Sequence, residues 1–86
     1  MEPERALTQE AHWATRSSIG NDGNREAEYR TRLATYRPRV GHSYQCPKCW
    51  IRDGYMSSLR SVHGTDEYDL LRCNRDACGV DIIIPI

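Results

Sequence analysis

Apolar residues crowd into the second half of the chain, and there they follow a strand rhythm. Residues 50–86 hold Trp50, Ile51, Tyr55, Met56, Leu59, Val62, Tyr68, Leu70, Leu71, Val80, Ile82, Ile83, Ile84 and Ile86. The spacing predicts strands at Trp50-Ile51-Arg52 and over residues 55–62, 67–72 and 80–84. Asp53-Gly54 reads as a hairpin dipeptide and His63-Gly64-Thr65-Asp66 as a further turn. The last run, Ile82-Ile83-Ile84, is almost unbroken, which predicts burial on both faces. Left open it would be an aggregation-prone edge, so the pattern calls for an element to cover it.

The first half is sparser and reads as helix. Leu7, Ala11 and Ala14 recur at helical spacing within a run of helix formers, a weak stripe compatible with a loose or frayed helix. Ser17-Ser18-Ile19-Gly20-Asn21-Asp22-Gly23-Asn24 is a cluster of turn residues and reads as a linker. A second helix is predicted from about residue 24 to just before Pro38, because a proline disfavours helix in the residue ahead of it. Glu26 and Glu28 in its first turn and Arg37 in its last have the order that the helix dipole favours. Tyr29, Leu33 and Tyr36 share one face, and this helix is the expected cover for the isoleucine run. At 86 residues the chain makes one small domain. Its expected parts are a weakly helical or flexible arm and linker (1–23), a helix and connector (24–43) and a β-rich unit (44–86).

The four cysteines form two close pairs, Cys46-Pro47-Lys48-Cys49 and Cys73-Asn74-Arg75-Asp76-Ala77-Cys78. Two tight turns that each present two thiolates are what a tetrahedral structural Zn²⁺ site needs, and four such ligands leave no position open for water or substrate. Pro47 stiffens the first turn, and Gly79 lets the chain leave the second with positive φ. Zinc would also supply folding free energy to a core this small. Two disulfides and a Cys-x-x-Cys redox pair are the alternatives. The first lacks a signal-like apolar segment near Met1-Glu2-Pro3-Glu4-Arg5, and the second lacks the surrounding βαβ alternation and leaves Cys73 and Cys78 idle. The expected cofactor is therefore one structural Zn²⁺ held by Cys46, Cys49, Cys73 and Cys78.

Cys-Pro-Lys-Cys, a short meander and Cys-x4-Cys-Gly together resemble the zinc-ribbon superfamily, over residues 44–86. The second turn is wider than in the simplest ribbons, and Trp50 stands where a glycine often follows the first pair. That wider turn is similar to the ribbons at the C-terminal end of bacterial type I topoisomerases. The resemblance implies a small three- to four-stranded antiparallel zinc ribbon and does not extend to residues 1–43; joined to the helices read from the N-terminal pattern, it gives an expected α+β chain, a ribbon with an N-terminal helical extension. In the topoisomerases it implies binding of single-stranded DNA, although ribbons elsewhere serve as protein adaptors or inert staples.

Net charge is zero overall but uneven locally. Residues 29–63 hold seven cations (Arg30, Arg32, Arg37, Arg39, Lys48, Arg52 and Arg60) against Asp53 alone, a net of +6, between two acidic ends. Cations interleaved with aromatics suit a single-stranded nucleic acid, with Arg37, Arg39, Lys48, Arg52 and Arg60 on phosphates and Tyr44 or Tyr55 stacking on bases. A partner protein docking on the same surface competes closely, and so does a plain solvated face. Trp50, next to Cys49, is expected to shield the metal. No nucleophile motif, carboxylate pair or phosphate loop supports an enzyme, and His12, His42 and His63 are scattered. His42 is read as a turn residue, with metal ligation the lesser option. Expected partners are nucleic acid or a larger protein complex, with no membrane and no small-molecule substrate, in the cytoplasm.

Overall fold

The computed structural model describes residues 3–75 and 77–85, so Ile86, an expected core residue, and Asp76 of the second cysteine turn lie outside it. Helix α1 (Pro3–Asn21) leads through a short 3-10 turn (Gly23–Arg25) into α2 (Glu26–Thr35). The hairpin β1 (Arg39–Val40) and β2 (Ser43–Gln45) follows, then α3 (Pro47–Asp53), β3 (Ser58–Gly64), β4 (Tyr68–Cys73) and β5 (Asp81–Pro85). All five strands form one antiparallel sheet in chain order, β1-β2-β3-β4-β5. The fold is α+β with a helical N-terminus, and its sheet has one strand more than the sequence implies.

The stretch Trp50-Ile51-Arg52 is helix, not strand. Pro47 occupies the first turn of α3, where its missing N–H costs nothing, and Gly54 ends the helix with φ 66°. Gly54 N–H donates to the Trp50 carbonyl at 2.9 Å, so Asp53-Gly54 closes a helix where its dipeptide pattern suggested a hairpin. Arg32 on α2 completes the cap by donating to the carbonyls of Ile51 (2.9 Å) and Arg52 (3.0 Å). A Cβ at Gly54 would lie 3.2 Å from that guanidinium. Gly54→Ala is therefore expected to cost about 1–2 kcal/mol in a denaturant melt, from the left-handed backbone alone. Gly41, with φ 62°, opens the two-residue β1–β2 loop, where such hairpins favour glycine.

Helix α1 is not a loose arm, and it runs through the expected linker to Asn21. Its buried stripe is Leu7, Ala11, Thr15 and Ser18, with Ala6 beside it. Small residues let α1 lie close to α3, and Thr15 satisfies its hydroxyl on the Ala11 carbonyl at 2.9 Å. Packing overrides the turn propensity of Ser17-Ser18 because two polar residues continue the apolar stripe.

The core has two parts. In one, Ala6 and Leu7 meet Leu59, Leu71, Ile82, Ile84 and the buried cysteines; in the other, Ala11, Tyr29 and Ile51 pack with Leu33, Tyr36 and Trp50. Helix α2 thus docks through its expected face, but mainly on α1 and α3. The isoleucine run is covered by α1 and on one side only: Ile82 and Ile84 are 3% exposed while Ile83 is 61% exposed. An antiparallel edge strand with one solvated face explains that alternation. Tyr36 latches α2 to the sheet by donating its hydroxyl to the Gln45 carbonyl at 2.6 Å, and burial raises its pKa and keeps that proton in place.

Candidate metal centre

Cys46 caps the start of α3 and Cys49 lies one turn in, so helix geometry brings their sulfurs to the same end. The Cys46 N–H donates to the Ser57 carbonyl at 2.8 Å and anchors this turn to the chain leading into β3. Cys73 is the last residue of β4, and its N–H donates to the Val80 carbonyl at 3.1 Å, which closes the base of the second turn. Cys78 returns over that turn, its N–H bonded to the Arg75 carbonyl at 3.0 Å, and Gly79 leaves with φ 58°.

These elements bring the four sulfurs within 4.8 Å of one another. Cys46 and Cys78 are 3.8 Å apart and Cys49 and Cys73 3.5 Å apart. A tetrahedron with metal–sulfur bonds of about 2.3 Å has sulfur–sulfur edges of about 3.8 Å, so the cluster is already close to that size. A disulfide needs about 2.05 Å, and all four cysteines are free. Four cysteines are thus placed to hold one metal ion.

The electrostatics agree with the geometry. Burial pushes the Cys46 thiol well above its ordinary range and the Cys49 thiol up to about 12. Burial opposes ionisation of Cys73 as well, but hydrogen bonds outweigh it and lower its pKa: from the Ser57 hydroxyl (3.2 Å), the Arg75 N–H (3.4 Å) and the neighbouring thiols. Thiols this crowded and buried can all ionise only when a cation joins them, which is what a coordinating metal does.

No protein-family model, curated protein or solved structure matches the chain. The site's meaning therefore rests on its own geometry.

The other predicted residues are spread over several elements, with Lys48 inside the first cysteine turn and Tyr44 packed against the cluster that holds the cysteines. Trp50 packs against the second core cluster, and its indole N–H donates to the Arg32 carbonyl at 2.8 Å, which ties α3 to α2. His42 is exposed in the β1–β2 loop and is not among the clustered ligands; His63 lies near the end of β3 beside the Tyr68 ring. Arg37 and Arg39 lie at the β1 end, Lys48 and Arg52 on α3, and Arg60 on β3 opposite Arg72. Two aromatics already carry a cation on one face: Arg39 sits 5.1 Å from the Tyr44 ring, and Arg75 4.4 Å from the Tyr55 ring.

Two participants escaped the sequence reading. Ser57 supplies a buried hydroxyl to Cys73, and a lone serine carries no motif to mark it. Arg75 gives its N–H to Cys73 while its guanidinium pairs with Asp53 at 2.9 Å and stacks on Tyr55. Its position inside the second cysteine turn was the available signal.

Proposed function

We propose that this chain is a small, non-catalytic zinc module of zinc-ribbon type, in which Zn²⁺ on Cys46, Cys49, Cys73 and Cys78 is a structural staple. The observation that carries this reading is the sulfur cluster, whose 3.5 and 3.8 Å separations suit a tetrahedral ion. Zinc is favoured over other ions because four soft thiolates around a closed site match its preferences.

The staple holds a surface that binds nucleic acid, with single strands preferred. In support, Arg37, Lys48, Arg52 and Arg60 make no ion pair with any carboxylate among the described residues, whereas Arg30, Arg32 and Arg39 do. Unpaired cations are available to phosphates, and metal plus thiolates contribute only through the scaffold. The zinc-loaded protein is expected to bind single-stranded DNA or RNA more tightly than duplex DNA, with affinity falling steeply as salt rises. A fluorescence-anisotropy salt series on the three substrates checks it, and absence of binding at low salt would refute it.

A second reading, a protein adaptor, has one observation in its favour. On the sheet face away from the helices, Leu70 pairs with the exposed Ile83. An apolar strip of that kind suits a protein partner.

A further inference from the structure

Among the described residues Trp13 is the most exposed large hydrophobic, at 68%, although it lies in the middle of a well-packed helix. The core does not need it, and its surroundings are unlike those of a stray surface aromatic. On one side of the indole a groove of about 500 Å³ runs between α1 and α3, with Ile82 of β5 also in its lining. Lys48 and Arg52, one turn apart on α3, line that groove opposite Trp13. On the other side a hollow of about 290 Å³ is lined by Arg16 and Arg30. Trp13 is thus a ridge with two cations on either hand. Of these four, only Arg30 has a carboxylate partner among the described residues, Glu26 at 3.2 Å on a mostly exposed pair.

We propose that Trp13 is a stacking platform for one base of a single-stranded nucleic acid that crosses this ridge, its phosphates met by Lys48 and Arg52 on one side and by Arg16 and Arg30 on the other. This rests on the nucleic-acid reading above and gives it a site. An isolated base offers a flat π face to the indole, and stacking of that kind tolerates any sequence. Beside Trp13 the groove is lined by Ala14 and by the polar Ser17 and Asn21, which can meet the edge of a base, while Pro47, Val80 and Ile82 make its other side apolar. Cations on both sides of one aromatic fit a polymer with a charge at every step, where a single acidic side chain would use one side only. Glu10 is the one carboxylate in the groove lining and works against any anion there. Tyr44 and Tyr55 are poorer platforms, since each has an arginine over one face.

The test uses the full zinc-loaded chain and a labelled oligothymidylate of roughly 12 nucleotides, a length within the usual site size. Trp13→Ala is expected to keep the wild-type circular dichroism spectrum and to weaken binding by roughly 5- to 150-fold. It should leave the salt slope unchanged, because no charge is lost. Trp13→Phe should retain most of the affinity. Lys48→Ala with Arg52→Ala should flatten the salt slope by about 1.4, at about 0.7 per phosphate contact on a single strand. Glu10→Gln should tighten binding. Tryptophan fluorescence should be quenched on binding in the wild type but not in Trp13→Ala, where only the half-buried Trp50 reports. If the wild type binds and Trp13→Ala binds equally well, the platform is overturned while the nucleic-acid reading stands. If polyglutamate displaces the oligonucleotide as well as unlabelled oligonucleotide of equal charge, the ridge is a site for acidic proteins and the proposal falls. If the wild type binds no nucleic acid at low salt, the functional reading itself fails and takes this site with it.

Discussion

Stripping the metal from the reduced protein with a strong chelator is expected to unfold it. Cys46 and Cys49 are almost fully buried, and with Cys73 they belong to the same core cluster as Leu7, Leu59, Leu71, Ile82 and Ile84. With an ion bound, the cluster would staple two turns together, and the metal-binding free energy would be available only to the folded chain. For structural zinc that contribution is of order 10–16 kcal/mol at neutral pH, as large as the whole net stability of an ordinary domain, about 5–15 kcal/mol. Loss of the ion therefore exceeds what packing can replace. Far-ultraviolet circular dichroism should lose its strand and helix signal as chelator is added, and regain it when zinc is restored. The α1–α2–α3 cluster around Ile51 shares α3 with the sulfur cluster, so the helices should melt with the sheet in one transition. A metal-free protein that keeps its native spectrum and cooperative melt would show that the cysteines are ordinary core residues.

Leu7→Ala should be the most damaging single truncation outside the cysteines. Leu7 is fully buried and is the point at which α1 covers Ile82, Ile84 and the sulfur cluster. Deleting a leucine side chain at such a site costs about 2–5 kcal/mol, through lost transfer free energy and the cavity left behind. That range is a large share of a domain's net stability of about 5–15 kcal/mol, so the variant should be folded only when zinc is saturating. Leu33→Ala should cost less, because Leu33 is half-buried at the edge of the second cluster. Urea melts of the zinc-loaded variants separate the two. A Leu7→Ala midpoint equal to that of the wild type would mean that α1 is not part of the folded unit.

The legible parts of this chain were those governed by short-range pattern. The cysteine pairs announced a four-sulfur cluster placed to hold a metal ion because ligand spacing is local, and β4 was read to within a residue because the apolar positions of Tyr68–Cys73 lie between a run of turn residues and the second cysteine turn. The illegible parts depended on tertiary partners. Trp50-Ile51-Arg52 has the apolar character of a strand, and only the Pro47…Gly54 frame marks it as helix. Thr15 and Ser18 look like the end of a helix until their burial against α3 is known. The two-residue strand β1 has no periodicity to read, and it exists because Gly41 folds it onto β2. For Ile82-Ile83-Ile84, composition alone could not reveal that β5 is an edge with one face open. The basic centre was visible as a sum but not as a surface. Arg32 is spent on the carbonyls of α3, while Trp13, outside the basic segment altogether, faces Lys48 and Arg52 across a groove.

X-ray absorption at the zinc edge of the purified, reduced protein tests the central claim most directly. The account predicts one zinc ion per chain with four sulfur neighbours at about 2.3 Å and no nitrogen or oxygen in the coordination shell. Protein that is folded yet carries no zinc, or whose zinc has fewer than four sulfur ligands, would contradict it.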